Sequence, residues 1–278
     1  MRPFVLFLLA ASTLSASPAF DAAVGLYKQR KDAEARAAFD ALLQAEPRNA
    51  EVPYYLGRLD MRARNPDAAV EHFSAAIALD PAKSAYHLEL GGAYGNKAQS
   101  AGLLGKASLA GKARSAFEKA VALDPSSYDA QSALFQYYVQ APGFMGGGFD
   151  KALAQSEVLI KLDPVRGRHA QANLYVREKK YAEAFAIFDA MLQAKDDDYG
   201  ALYGLGRVVA ESGQRIEAGL ANLRKCLALT PPAGMPSHAA VHWRLGTILE
   251  KRATRTARAR PTRRPSPSTR SSSPRSRR

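Results

Sequence analysis

The sequence predicts an all-α protein, built as a solenoid of antiparallel helix pairs. Apolar residues recur at helical spacing on both sides of a break at Asn65-Pro66, which describes two helices joined by a short turn. Pro81 ends the second helix, because proline lacks an amide donor and disfavours helical geometry in the residue before it. The pattern returns with the 34-residue spacing that separates Pro47 from Pro81. Self-similar pairs of this length are typical of a stacked array.

The clearest repeat, residues 51–81, shows how two such helices can pack closely. Gly57 has no side chain to hold the first helix away from the second. Ala69 and Ala76 give the second helix a small face, and Phe73 fills the remaining space between the helices. We therefore expect the backbones to approach each other at Gly57.

These residues and their spacing resemble the tetratricopeptide repeat. The resemblance covers residues 20–252 as about six and a half repeats, of which two are clean and the others degenerate. It implies a right-handed superhelical solenoid whose first helices line a concave, peptide-holding groove. The positions that correspond to Gly57 and Phe73 in other repeats are Ala23 and Phe39, Gly91 and Phe117, Phe135 and Ser156, Ala172 and Phe188, and Gly206 and Leu223.

Residues 1–19 resemble an export signal. Arg2 supplies a positive start, an apolar run follows from Phe4 to Leu14, and Ser17-Pro18-Ala19 offers a cleavage site before residue 20. Cleavage after Ala16 is the alternative. The apolar run is too short to span a bilayer of about 30 Å, and no lipid-attachment cysteine follows it, so no stable membrane anchor is predicted. We expect the mature protein to be periplasmic or secreted.

The composition changes abruptly after Arg252. Residues 253–278 contain nine arginines and no acidic residue, so most of the formal net charge of +13 lies there. Low hydrophobicity and high charge predict a disordered basic tail. Because the rest of the chain carries an ordinary charge, we predict no specific nucleic-acid partner. A genuine basic tail for anionic partners remains the alternative interpretation.

A second hypothesis for this tail is translation in the wrong reading frame. Spacing from Gly246 places the landmarks of a second helix at Arg258, Thr262, Pro265 and Arg270. Codons for these residues, read one base earlier, can encode alanine, tyrosine, alanine and proline. Those are the residue types that the repeat requires, so the tail would be an out-of-frame copy of the missing helix.

Two inserts interrupt the regular spacing. Ten additional residues around 96–107 are expected to extend the helices of the third repeat or to form an extra turn. The glycine-rich segment 142–148 is expected to be a flexible linker. It is not a phosphate loop, since Phe149-Asp150 stands where lysine and serine or threonine would be needed.

No catalytic, metal or cofactor constellation emerges from the remaining residues. Cys226, the single cysteine, occupies the position of Ala76 and is interpreted as a small buried residue. Asp196-Asp197-Asp198 lacks the alternating ligands of a calcium loop and is interpreted as a solvated turn that begins the next helix. We predict no enzyme activity, no cofactor and no metal site.

The expected function is protein or peptide binding in the groove. The predicted scaffold is exported and non-enzymatic; the alternatives are an accessory component of a cell-envelope enzyme, an enzyme with its site in the glycine segment, or part of an outer-membrane assembly complex. Aromatic and arginine side chains often dominate interface energetics. The predicted groove residues are Tyr54, Arg58, Arg62, Gln136, Asn173, Tyr203, Arg207 and Trp243, with Tyr27, Gln140 and His169 in the same phase.

Overall fold

A computed structural model describes residues 17–259, with side chains to residue 256, as thirteen α-helices and one short 3₁₀ turn. No strand occurs within that range, so the all-α prediction is confirmed. The chain divides into two compact units, Met1–Leu174 and Tyr175–Arg278. Within each unit, successive helices pack side by side as antiparallel pairs, as a solenoid of repeats requires.

The first unit contains four complete helix pairs. Each helix packs against the next from α1 to α8, and α9 begins in this unit and ends in the second. The helices are α1 (Pro18–Lys28), α2 (Asp32–Ala45), α3 (Glu51–Arg62), α4 (Pro66–Leu79), α5 (Ser84–Ser100), α6 (Leu103–Leu123), α7 (Tyr128–Gln140), α8 (Phe149–Leu162) and α9 (Pro164–Arg177).

The second unit contains four further helices. Here too each helix packs against its successor, and α11 also contacts α13. The helices are α10 (Tyr181–Ala194), α11 (Tyr199–Ser212), α12 (Ile216–Ala228) and α13 (His238–Ala259).

Close packing at the repeat glycines is confirmed in the first unit. A β-carbon placed on Gly57 would lie only 2.7 Å from the ring of Phe73, and one on Gly91 would lie 2.5 Å from Phe117. Phe73 is fully buried. The absence of a side chain at each glycine thus allows a ring from the paired helix to occupy that space.

The same contact recurs in the second unit with an aliphatic side chain. A β-carbon on Gly206 would lie 2.4 Å from Leu223. Cys226, on the same helix as Leu223, is fully buried, with its Sγ 3.7 Å from the carbonyl oxygen of Tyr199. Burial raises the pKa of the Cys226 thiol to about 11. Its predicted role as a small core residue is confirmed.

Side-chain caps mark several helix starts. Asn65 accepts a hydrogen bond from the amide of Ala68 at the start of α4, and Asp198 accepts one from Ala201 at the start of α11. The prediction that Asp198 begins a helix is therefore confirmed.

The insert of the third repeat lengthens both of its helices. The helix α5 has 17 residues and α6 has 21, whereas α3 and α4 have 12 and 14. Only Ala101 and Gly102 separate α5 from α6. Of the two predicted outcomes, helix extension is the correct one.

The glycine-rich segment is a hydrogen-bonded turn, so the prediction of a flexible linker is wrong. A 3₁₀ turn spans Gly143–Met145, and the amides of residues 145–148 all donate to backbone carbonyls. The hydroxyl of Tyr137 donates to the carbonyl oxygen of Met145 at 2.7 Å. Because these amides are already paired, they are not free to bind a phosphate.

Both predicted boundaries of the array differ from the observed helices. Ser17 caps α1 by accepting from the amide of Phe20, so α1 includes Pro18 and Ala19. At the other end, α13 continues to Ala259 in a segment that was predicted to be disordered from residue 253. Residues 1–16 of the predicted export signal and 260–278 of the predicted tail lie outside the described residues. Within the described part, no helix combines enough length and apolar character to cross a membrane.

Neighbouring glycines in α5 provide a matched test of the close helix contact. A β-carbon on Gly91 meets Phe117, whereas one on Gly92 meets nothing within 4 Å. We expect Gly92→Ala to stabilise the protein by about 0.5–1 kcal/mol through helix propensity. Gly91→Ala should be less stable than Gly92→Ala by about 1–3 kcal/mol because of overpacking. Urea unfolding measures both, and equal stabilisation by the two alanines would contradict the packing described.

Candidate functional site

An open cavity of about 670 Å³ lies between α5, α6 and α7 in the first unit. Four carboxamide side chains line it: Asn96 and Gln99 from α5, and Gln136 and Gln140 from α7. All four are exposed to solvent. A carboxamide offers both hydrogen-bond donors and an acceptor, the same pair of functions that a peptide backbone presents.

Small residues create the space for this cavity. Gly92 and Gly95 line it from α5, and a β-carbon on either would meet no atom within 4 Å. Ala110 and Ala113 line it from α6, and Phe117 also contributes to its wall. The glycines that line the cavity thus differ from Gly91, whose missing side chain is replaced by a packed ring.

The glycine-rich turn closes one side of the cavity. Pro142 and Met145 are lining residues, and the hydrogen bond from Tyr137 to Met145 holds the turn against α7. On the far side of the turn, Lys151 Nζ donates to the carbonyl oxygen of Gly146 at 3.0 Å. A cavity wall fixed in this way needs little rearrangement when a ligand binds.

Three large apolar side chains are exposed next to the lining residues in sequence. Leu103 and Leu104, at the start of α6, are 79% and 88% exposed, and Phe144 is 83% exposed. Leu103 and Leu104 precede the lining residue Lys106, and Phe144 precedes Met145. Large apolar side chains that are this exposed can contribute to an interaction surface.

The cavity carries little charge of its own. Among its lining residues, Lys106 is the single ionic side chain. The other polar groups are the four carboxamides and the hydroxyl of Tyr137, which already donates within the protein. This arrangement suits an uncharged or weakly acidic ligand that forms hydrogen bonds along its length.

The predicted groove residue Arg62 is engaged within the protein. Its Nη1 donates to Asp32 Oδ1 at 2.6 Å and to the carbonyl oxygen of Tyr27 at 3.0 Å. Its guanidinium also stacks 3.5 Å from the centroid of the Tyr27 ring. In this geometry Arg62 ties α3 to α1 and α2.

Arg58 and Tyr54 belong to a second internal cluster. The Arg58 guanidinium lies 5.2 Å from the centroid of Tyr27 and 5.5 Å from that of Tyr54, and its Nε is 3.5 Å from Glu89 Oε1. Burial raises the pKa of Tyr54 to about 12. Burial also raises the pKa of Glu89, and the positive charge of Arg58 opposes part of that shift.

The other predicted site residues do not line the cavity. Asn173 is exposed on α9. In the second unit, Tyr203 is partly buried, and Arg207 Nε lies 3.3 Å from Glu211 Oε1. Trp243 is 63% exposed. The structure therefore unites Gln136 and Gln140 with residues that the sequence did not single out.

Asn96, Gln99 and Gly95 are among the cavity residues that sequence reasoning missed. They lie on α5 at or just before the ten-residue insert, where the regular repeat spacing no longer assigns a position to each residue. The signal that was available is the length of the insert, because an extended helix must expose a face beyond its ordinary partner.

No metal site accompanies the cavity in the described part of the chain. Among those residues, no group of three or more histidine, cysteine, aspartate or glutamate side chains is placed to hold an ion.

A double-mutant cycle distinguishes a structural Arg62 from a ligand-binding one. Removing either Arg62 or Asp32 leaves its partner without the short hydrogen bond between them. We expect Arg62→Ala and Asp32→Ala to be non-additive, with a coupling of about 0.5–3 kcal/mol in the free energy of unfolding. Glu34→Ala is the control, because this exposed side chain does not contact Arg62. If the effects of Arg62→Ala and Asp32→Ala on the free energy of unfolding were additive, the structural role of Arg62 would be contradicted and Arg62 would be available to bind a ligand in the groove.

Comparison with known proteins supports the repeat assignment. Residues 20–84 and 54–112 match the sequence model described as "Tetratricopeptide repeat", which together is about a third of the chain. No curated protein sequence matches this chain.

Solved structures share the fold at low sequence identity. A tetratricopeptide repeat protein from Parabacteroides merdae has a TM-score of 0.63 and 16% identity, over 86% of this chain and 87% of that one. PilW, described as a type IV pilus biogenesis factor, has a TM-score of 0.58 and 16% identity, over 83% and 96%. A thermophilic repeat protein from Thermus thermophilus has a TM-score of 0.53 and 20% identity, over 70% and 99%. Residues 20–112 are thus similar to the tetratricopeptide repeat in sequence, and the chain as a whole shares its helical fold with these solved structures.

Proposed function

We propose that this protein is a non-enzymatic scaffold that binds an extended peptide segment of a partner protein in the cavity between α5, α6 and α7. The observation that carries the proposal is the set of four exposed carboxamides facing one cavity from two helices. Asn96 Nδ2 already donates to the carbonyl oxygen of Gly92 at 2.9 Å. The remaining donors and acceptors of the four carboxamides can pair with the amide and carbonyl groups of an extended backbone. Hydrogen bonds to the peptide backbone do not depend on the peptide's side chains. Sequence specificity must therefore come from other contacts.

Apolar side chains of the peptide supply that specificity. The exposed Leu103, Leu104 and Phe144 offer a surface for one or two apolar residues of the peptide. Burying such a side chain stabilises a complex by about 1.5–3 kcal/mol before ordering costs are counted. Lys106 favours a weakly acidic segment over a basic one.

The fixed wall of the cavity favours peptide binding even though the site is small. The turn that bounds it is fixed by its own backbone hydrogen bonds and by Tyr137. A wall that is ordered before binding spares the complex the entropic cost of fixing it. The pairing of the turn's amides also supports a binding role over phosphate chemistry.

Export is the second part of the proposal. The contacts of Ser17 favour one of the two candidate cleavage sites. Cleavage after Ala19 would remove Ser17, which caps α1 and donates from its hydroxyl to Glu46 Oε1. Cleavage after Ala16 retains the cap.

The mature N-terminus tests this proposal. We expect mass spectrometry of the protein recovered from the periplasm or medium of an exporting bacterium to show a chain that begins at Ser17. A chain that begins at Phe20 would contradict the proposed cleavage site, and an uncleaved cytoplasmic chain would contradict export itself. Ser17→Ala should lower the melting temperature of the mature chain, because it removes the cap.

Filling the cavity tests peptide binding. Peptides selected from a random display library on the full chain serve as probes. Gly95→Leu places a side chain in open space within the cavity, so we expect at least a tenfold loss of affinity, about 1.4 kcal/mol, with little loss of stability. Gln136→Ala combined with Gln140→Ala should weaken the same peptides.

The matched control is Gly25→Leu, on α1. Its β-carbon also meets nothing within 4 Å, but Gly25 lies outside the cavity. We expect this control to bind with unchanged affinity. Selected peptides that bind Gly95→Leu as tightly as the unmodified chain would place their site elsewhere and contradict the proposal.

A further inference from the structure

One face of α13 lacks the partner that corresponding faces have elsewhere. The repeat glycines Gly57, Gly91 and Gly206 each hold a bulky side chain of the following helix, within 2.4–2.7 Å of the β-carbon position. Around Gly246, the corresponding residue of α13, no described atom lies within 4 Å of that position. Leu249, on the same helix, is 40% exposed.

The end of α13 is also unlike the ends of other first helices. Four repeats turn seven residues after the motif position, on a residue with positive φ: Arg30 (63°), Arg64 (57°), Lys179 (58°) and Gly213 (69°). In the last repeat that position is Ala253, and the helix continues through it to Ala259. In three of these turns the residue is arginine or lysine, which adopts a positive φ at a cost, and in the fourth it is glycine, which adopts it freely.

We infer that the face around Gly246 is the seat of a second helix, and that this helix is encoded one base out of frame over residues 253–270. The codon of Ala253 is GCN. Read one base earlier, it becomes NGC, and one of the codons of that form encodes glycine, the residue suited to the turn. Thr254, with codon ACN, reads NAC, which includes asparagine and aspartate. Asn65 caps α4 at the corresponding place, one residue after the turn.

The remaining landmarks follow at the spacing of the second repeat. Phe73 stands sixteen residues after Gly57, and the same distance from Gly246 leads to Thr262, whose shifted codon includes tyrosine. Residues 266–270 can encode Leu-Ala-Leu-Asn-Pro in the shifted frame. That ending is close to the Ile-Ala-Leu-Asp-Pro of residues 77–81.

The aromatic residue beside Gly246 is also consistent with a second helix packing on this face. In the second repeat, Tyr54 stands three residues before Gly57, and its ring centroid lies 6.1 Å from that of Phe73. Trp243 stands three residues before Gly246 and is 63% exposed. An aromatic side chain entering the seat would therefore cover Trp243, as Phe73 covers Tyr54.

In the shifted frame, the tail over residues 253–270 is no longer a basic segment. The shifted frame replaces the arginine codons of the form CGN with codons for alanine, serine, threonine or proline. The six arginines of residues 253–270 would then not form a surface for anionic partners.

The first test is the nucleotide sequence of codons 246–270 in freshly isolated genomic DNA. We expect a one-base difference between codons 246 and 253 that restores the shifted frame, with glycine at position 253 and alanine, an aromatic residue and proline at 258, 262 and 270. A stop codon in the shifted frame, or confirmation of the frame as given, would overturn the encoding.

The second test compares the chain as given with the frame-restored chain. Trp243 is the single tryptophan, so its fluorescence reports directly on the seat. We expect the frame-restored chain to emit at shorter wavelength, to resist quenching by iodide and to melt at higher temperature. An unchanged tryptophan signal would overturn the seat.

Gly246→Val separates the seat from general effects on α13. In the chain as given, the valine side chain meets open space and should leave the melting temperature nearly unchanged. In the frame-restored chain, the same substitution should remove the gain in stability and expose Trp243 again. A different result would overturn this inference: Trp243 of the chain as given could be shielded from iodide while sedimentation gives the mass of a dimer. In that case a second copy of the chain would cover the face around Gly246.

Discussion

In three of the helix pairs, close packing depends on the contact between a glycine on one helix and a bulky side chain on the next. Where that side chain is present, the glycine allows the backbones to approach, and the ring or leucine fills the space. The interaction is short in range, and its repetition builds an array without any single central core. The glycines that act in this way are Gly57, Gly91 and Gly206.

The candidate site arises where this regular packing is interrupted. The insert extends α5 and α6 beyond the contact of Gly91 with Phe117, and the additional surface carries Gly92, Gly95 and carboxamides rather than a ring. The glycine-rich turn then closes the opening from α7. The proposed peptide site thus arises from two departures from the repeat, each supported by regular pairs on either side.

Much of the fold could be predicted from the sequence, because its signals are local. The spacing of Gly57 and Phe73 predicts their contact, and Asp198 at a helix start predicts a cap. The site was less accessible. Helical phase assigned Arg62 to the inner face, but phase cannot show that Asp32, thirty residues earlier, engages it.

The glycine-rich segment shows a second reason why prediction failed. Composition indicated flexibility there, whereas the structure pairs its amides and anchors it through Tyr137. Those hydrogen bonds depend on tertiary placement, which local sequence does not encode. At α13, by contrast, the repeat spacing predicts a second helix, and the structure leaves open space around Gly246.

The most direct test of the proposed site is the methyl NMR signal of Met145, which lines the cavity. Titration with a selected peptide should shift the Met145 resonance. The exposed Met235 of the second unit should remain where it was. A shift at Met235, with Met145 unchanged at saturating peptide, would contradict the account.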